Sequence, residues 1–265
     1  MIDARDVEKV KVGRVFFKPD SGPDVKKVIV LTLESHVGNV VQLVKRFDPK
    51  HFKVDCSETR DWLIRAAEKH DDAKPETFRI IYQGWKESAR KSLGYSFRGH
   101  RFRVSDDNRY VELLIRLHHE FSVEGIAKAV AELKDQHDGK YAEFAENFPT
   151  DLYTLEMCDQ IEAEIETYTF IGEPQPRVFM DFHSQIGKDG KIEIEPFDPF
   201  VTDSDIVLPM KYYEWEIGTK ERQEIATDLK MENPSERLRK LKEMIENPPK
   251  DAEREPKEMI LCPAH

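Results

Sequence analysis

Glu68-Lys69-His70-Asp71-Asp72-Ala73-Lys74 closes an apolar, helix-like run containing Trp62, Leu63, Ile64, Ala66 and Ala67, and Pro75 follows it at once. Proline removes a backbone donor and crowds the preceding turn, so the helix ends here. An imidazole nitrogen beside a carboxylate oxygen offers two donors to a divalent ion. A His-Asp dipeptide by itself is weak evidence, and it recurs at His137-Asp138. The residues spaced around it give it weight: His36 before it, and His100, His118, His119 and Asp159 after it.

Working outward, Val28, Ile29, Leu31, Leu33, Val37, Val40, Val41, Leu43, Val44 and Phe47 suggest a helix over Val25–Phe47 that carries His36. A second helix spans 58–74, with Ser57 or Thr59 as N-cap. A short helix is predicted over Thr77–Leu93, and Tyr110–Leu117 leads into His118-His119 on another helix. Ser122–Leu133 is amphipathic, with Glu124 and Glu132 on its polar side, and Leu152–Ile165 is a helix carrying Asp159. After Gly172 the pattern alternates: Arg177–His183, Lys191–Phe197 and Lys211–Ile217 read as strands, and Glu221–Ile245 as a charged helix. The expectation is a mainly α protein: a helical bundle with a small C-terminal β-containing appendage and a charged helix. Its expected parts are an arm or short strands over 1–24, the bundle over 25–172, the appendage over 173–247 and a flexible tail over 248–265.

Composition narrows the class. The 265 residues are 39% hydrophobic and 35% charged, ample for a core, and no run approaches the roughly 18 apolar residues of a membrane span. The N-terminus has no basic region followed by an apolar stretch, so a soluble cytoplasmic protein is expected. Cys56, Cys158 and Cys262 are isolated, which argues against a cysteine-type zinc site. A net charge of −11 excludes a generally basic nucleic-acid binder, yet Ala89–Val104 has no acidic residue. Arg90, Lys91, Arg98, Arg101 and Arg103 lie there among Tyr95, Phe97 and Phe102, a mix suited to tracking phosphates and stacking bases. A solvated basic loop is the plainer reading of the same stretch.

Taken in order, His36, His70-Asp71, His100, His118-His119 and Asp159 fall on or beside helices, except His100 in the basic loop. Inward faces of a helical bundle that each supply one or two donors can hold two metal ions. Imidazole and carboxylate without thiolate suit Mn, Ni, Co, Fe, Mg or Zn.

This set resembles the HD phosphohydrolase superfamily, most closely the HD nuclease domain of the CRISPR-associated type I helicase–nuclease effector, over roughly residues 25–170. His70-Asp71-Asp72-Ala73-Lys74 is similar to its His-Asp-x-Gly-Lys signature, with Ala73 in place of glycine. His100 in Phe97-Arg98-Gly99-His100-Arg101 is a looser match to the Arg-His-Glu element. The resemblance implies two divalent ions held by His36, His70, Asp71, His100, His118, His119 and Asp159, with Asp71 and Lys74 as catalytic residues. It further implies a single-stranded DNA substrate, and as partners a helicase, separate or fused, and the surveillance complex of antiviral defence. No Gly-x-x-x-x-Gly-Lys-Ser/Thr motif is present, so any helicase is another chain or another part of a longer one. Two other expectations stand beside it: hydrolysis of a small nucleotide, or a degenerate HD scaffold that binds without catalysis. His137-Asp138-Gly139-Lys140 is set aside because no apolar helix leads into it, and His51 and His183 read as structural.

Overall fold

The computed structural model of the chain describes residues 9–19, 25–46, 57–84, 91–120, 122–135, 139–172, 206–220, 223 and 235–261. In chain order the elements discussed are β1 (Val12–Pro19), β2 (Val25–Thr32), α1 (Leu33–Arg46), α2 (Ser57–Lys69), α3 (Lys74–Thr77), β3 (Arg79–Gly84) and β4 (Lys91–Ser96). They continue with α4 (Arg109–Leu117), α5 (Val123–Asp135), α6 (Phe148–Ile171), β5 (Ile206–Met210), β6 (Tyr212–Glu216), α7 (Ser235–Glu246) and β7 (Lys257–Leu261). The fold is mainly α with small antiparallel sheets. Among the described residues no helix is long and apolar enough to cross a membrane. The chain divides into two compact units: Met1–His36, Ala73–His100 and Pro209–Glu258 form the first, and Val37–Asp72, Arg101–Leu208 and Met259–His265 the second.

The first unit is built on a sheet of order β1-β2-β6, in which Val28 pairs with Trp215 and Val30 with Tyr213. Val12, Val15, Val28, Val30, Trp215 and Ile217 share a core with Phe78, Ile80 and Leu93, and α7 contributes Leu241 and Ile245. Gly13 is required where the β1–β2 register slips: a Cβ there would stand 2.8 Å from the Thr32 carbonyl oxygen. The helix expected over Val25–Phe47 is half strand. Val28, Ile29, Val30 and Leu31 are all buried, so β2 is covered on both faces and shows no alternation that would tell it from a buried helix. The helix begins only at Leu33, where the Thr32 hydroxyl accepts from the Ser35 N–H at 3.2 Å.

The helix expected over Thr77–Leu93 is also corrected. Arg79–Gly84 and Lys91–Ser96 form a hairpin, with Arg79 opposite Ser96 and Gly84 opposite Lys91. The strand expected at Lys211–Ile217 exists as β6, but it pairs with β2 instead of belonging to a separate C-terminal sheet. Residues after Asn247 are not a loose tail as far as Leu261: Ala252 is buried, its carbonyl accepts from the Glu214 N–H at 2.7 Å, and β7 pairs with β5. The expected strands Arg177–His183 and Lys191–Phe197, and most of 221–234, lie outside the described residues.

The second unit is a helical bundle. Helix α2 packs on α4 and α6, α4 on α6, and α5 on both α4 and α6. Leu43, Leu63, Tyr110, Leu114, Ile115, Ile126, Phe148 and Leu155 are fully buried together, and each such side chain contributes about 1.5–3 kcal/mol by leaving water. Asn108 caps α4 by accepting from the Tyr110 and Val111 N–H groups at 2.9 and 3.3 Å. The long helix α6 runs well beyond the expected Leu152–Ile165 and ends at Gly172, whose φ of 80° suits only a residue without a Cβ strain penalty. Among its buried positions are Asp151, Glu156, Asp159, Glu162 and Glu166, an unusual polar load for a core helix.

Candidate metal centre

His70 is the first residue beyond α2, in a turn closed by the Asp72 N–H donating to the Lys69 carbonyl at 3.1 Å. Pro75, in the first turn of α3, prevents α2 from running on through that turn. The turn leaves His70 and Asp71 pointing inward, both essentially without solvent exposure. His70 Nδ1 lies 2.8 Å from the Ala67 carbonyl oxygen, so it carries the proton and donates it there. Its Nε2 then faces Asp71 Oδ2 at 3.3 Å and Asp159 Oδ1 at 3.8 Å. One donor atom from each of His70, Asp71 and Asp159 lies within 4.8 Å of the others.

His118 repeats the device. It caps the end of α4, and its Nδ1 stands 2.6 Å from the Ile115 carbonyl oxygen, again three residues back. The expectation that the histidine pair lies within a helix is corrected: α4 stops at Leu117, and both histidines occupy the turn after it. The His118 ring centroid is 5.2 Å from that of His70 and 4.1 Å from that of His119. A carbonyl on Nδ1 fixes tautomer and ring orientation and leaves Nε2 as the metal-facing atom, which is how imidazole ligands are commonly held.

The electrostatics suit a cation. Burial alone would lower the His70 pKa, but the Asp71 and Asp159 carboxylates facing its Nε2 outweigh it and raise the pKa to about 9. His118 is held well below the ordinary imidazole value, first by burial and then by its neighbours His119 and His70, so it is neutral, the form in which imidazole coordinates a metal. Two carboxylates that favour positive charge in a dry site, with His118 neutral and a His70 proton that an ion would replace, are a donor set for a divalent transition ion or magnesium, and the residues fit one.

The second unit thus brings together five of the seven expected ligands: His70, Asp71, His118, His119 and Asp159. His36 and His100 belong to the first unit, each as the last residue of its segment before the chain passes to the second. His36 is buried in the first turn of α1. His100 opens a 3-10 turn, with Nδ1 2.8 Å from the Phe97 carbonyl oxygen, the same three-residue arrangement as at His70 and His118. Lys74 also lies in the first unit, where its ammonium sits 5.2 Å from the centroid of the Phe97 ring.

The basic stretch is shared between the two units. Lys91 opens β4 and Arg98 is exposed in the first unit, whereas Arg101 and Arg103 belong to the second. Arg90 lies outside the described residues, as do His51, His137, Asp138 and His183.

Three buried carboxylates escaped the reading of the sequence. Glu156, Glu162 and Glu166 flank Asp159 on α6, and Glu162 accepts from Asn39 Nδ2 at 3.2 Å. At three residues before, three after and seven after Asp159 they lie near one face of a helix, a signal present in the sequence. No protein-family model, no curated protein and no solved structure matches this chain.

Proposed function

We propose that the chain is a metal-dependent phosphodiesterase, a nuclease acting on single-stranded DNA. The observation that carries the reading is the buried trio His70, Asp71 and Asp159, with imidazole nitrogens steered by backbone carbonyls toward carboxylate oxygens. The resemblance supplies the rest: two divalent ions, His36 and His100 as further ligands, a DNA substrate delivered by a helicase, and a place in CRISPR type I interference.

When bound, such ions lower the pKa of water from about 15.7 toward neutrality and offset the charge that develops on the attacked phosphate. The protein's own residues do the holding. Asp71 and Asp159 supply negative charge without water to dilute it, and the carbonyls of Ala67 and Ile115 prevent His70 and His118 from rotating away. Arg101 and Arg103 provide cations for a phosphate backbone, and Phe102, 60% exposed, offers a face on which a base can stack.

A second reading, hydrolysis of a small nucleotide, has one observation in its favour. A cavity of about 460 Å³ lies between α4 and α5, and its cations are already engaged: Arg109 pairs with Glu132 at 2.6 Å and Lys128 with Glu124 at 2.6 Å. Such a balanced surface attracts a long polyanion weakly. The deciding experiment incubates manganese-loaded protein with circular single-stranded DNA beside an Asp71→Ala variant. The nuclease reading requires that the wild type open the circle and the variant leave it closed. An intact circle with both proteins removes it.

A further inference from the structure

Glu156 sits on α6 one turn before Asp159, is 2% exposed, and has no hydrogen-bond partner for either carboxyl oxygen among the described residues. Leaving such a group buried without a partner destabilises the fold, so its retention asks for a reason. Arg101 Nη1 is likewise buried without a partner among the described residues, although its guanidinium stacks 4.7 Å from the centroid of the Phe102 ring. The Arg101 charge favours ionisation of Glu156 without closing into an ion pair with it. An unsatisfied carboxyl and an unsatisfied guanidinium N–H therefore stand near each other, beside the last carboxylate of the centre.

We propose that Glu156 is the general acid of the hydrolysis, protonating the leaving oxygen of a phosphodiester whose non-bridging oxygen is held by Arg101. This rests on the phosphodiesterase reading of the same centre. In the step, the water oxygen bonds to phosphorus and the bond from phosphorus to the leaving sugar oxygen breaks. That oxygen takes the Glu156 proton, the attacking water loses one proton to solvent, and Glu156 regains a proton from solvent. The surroundings keep the acid protonated: burial foremost, then the negative Asp159 and Glu120, push its carboxyl up to about 10, against the nearby Glu120 main chain and Arg101 charge, which favour ionisation. An ionised Glu156 would instead repel the phosphate.

The test turns on the leaving group. Manganese-loaded wild type and Glu156→Gln are compared on bis(p-nitrophenyl) phosphate, whose nitrophenolate leaves without a proton, and on a single-stranded oligodeoxynucleotide, whose alkoxide needs one. The variant is expected to lose roughly 10²–10⁴-fold in kcat on the oligonucleotide and less than about threefold on the aryl ester. Glu156→Asp, which keeps the acid one methylene shorter, is expected to recover part of the oligonucleotide rate. Manganese content, measured by elemental analysis, should be equal in all three proteins. Equal losses on both substrates, or none on either, overturn the role of Glu156 while leaving the hydrolase intact. A wild type inert toward both overturns the hydrolase reading and this inference with it.

Discussion

Asp151 lies in the first turn of α6 with its carboxyl fully buried, and Oδ2 accepts from the Tyr110 hydroxyl at 2.6 Å. Burial pushes its pKa up to about 8, against the Tyr110 hydrogen bond and the Arg60 charge, which both favour ionisation. The native protein therefore keeps this proton up to about pH 8, whereas the unfolded chain releases it near 3.8. Between those values the unfolded state binds fewer protons, so stability falls as pH rises. Asp151→Asn keeps the shape and an acceptor for Tyr110 but removes the titration. At roughly 1.4 kcal/mol per pH unit, with the slope fading near the folded value, the variant should gain up to about 4 kcal/mol on wild type between pH 5 and pH 8. Urea unfolding followed by circular dichroism at pH 5, 6, 7 and 8 measures that difference directly. A difference that stays constant across the four pH values would refute the argument, whatever its size.

Two further outcomes follow from the packing. Asn108→Ala removes the acceptor for two α4 N–H groups and should cost about 1 kcal/mol in the same urea assay, with Asn108→Ser close to wild type. A fragment ending at Gly172 lacks β6 and so uncovers the β2 edge; it is expected to aggregate or to lose its strand signal, while the full chain stays monodisperse in light scattering.

The clustered histidines and aspartates were more legible than the elements that carry them. His70-Asp71 before Pro75 marks a helix end, and the histidine doublet and Asp159 stand out because such side chains rarely serve a core. Val25–Thr32 misled because a strand covered on both faces shows no alternation, and β3 and β4 because residues 85–90 between them hold no glycine, proline, asparagine or aspartate to signal a break. The pairing of β6 with β2 joins residues nearly two hundred positions apart, and no local pattern announces it. Asp151 and Glu156 look like solvent-facing acids on an amphipathic helix, and only their burial shows otherwise. The three-residue step from each ring to its carbonyl depends on where the helices stop, which sequence places only to within a few residues.

Binding of a divalent ion to His70, Asp71 and Asp159 is the claim on which the chemistry depends, and a calorimetric titration of chelator-stripped protein with manganese tests it without any substrate. Wild type should bind at least one equivalent at micromolar concentration, and Asp71→Ala should abolish the heat while its circular dichroism spectrum is unchanged. Silence from a folded wild type, or identical isotherms from both proteins, would contradict the account.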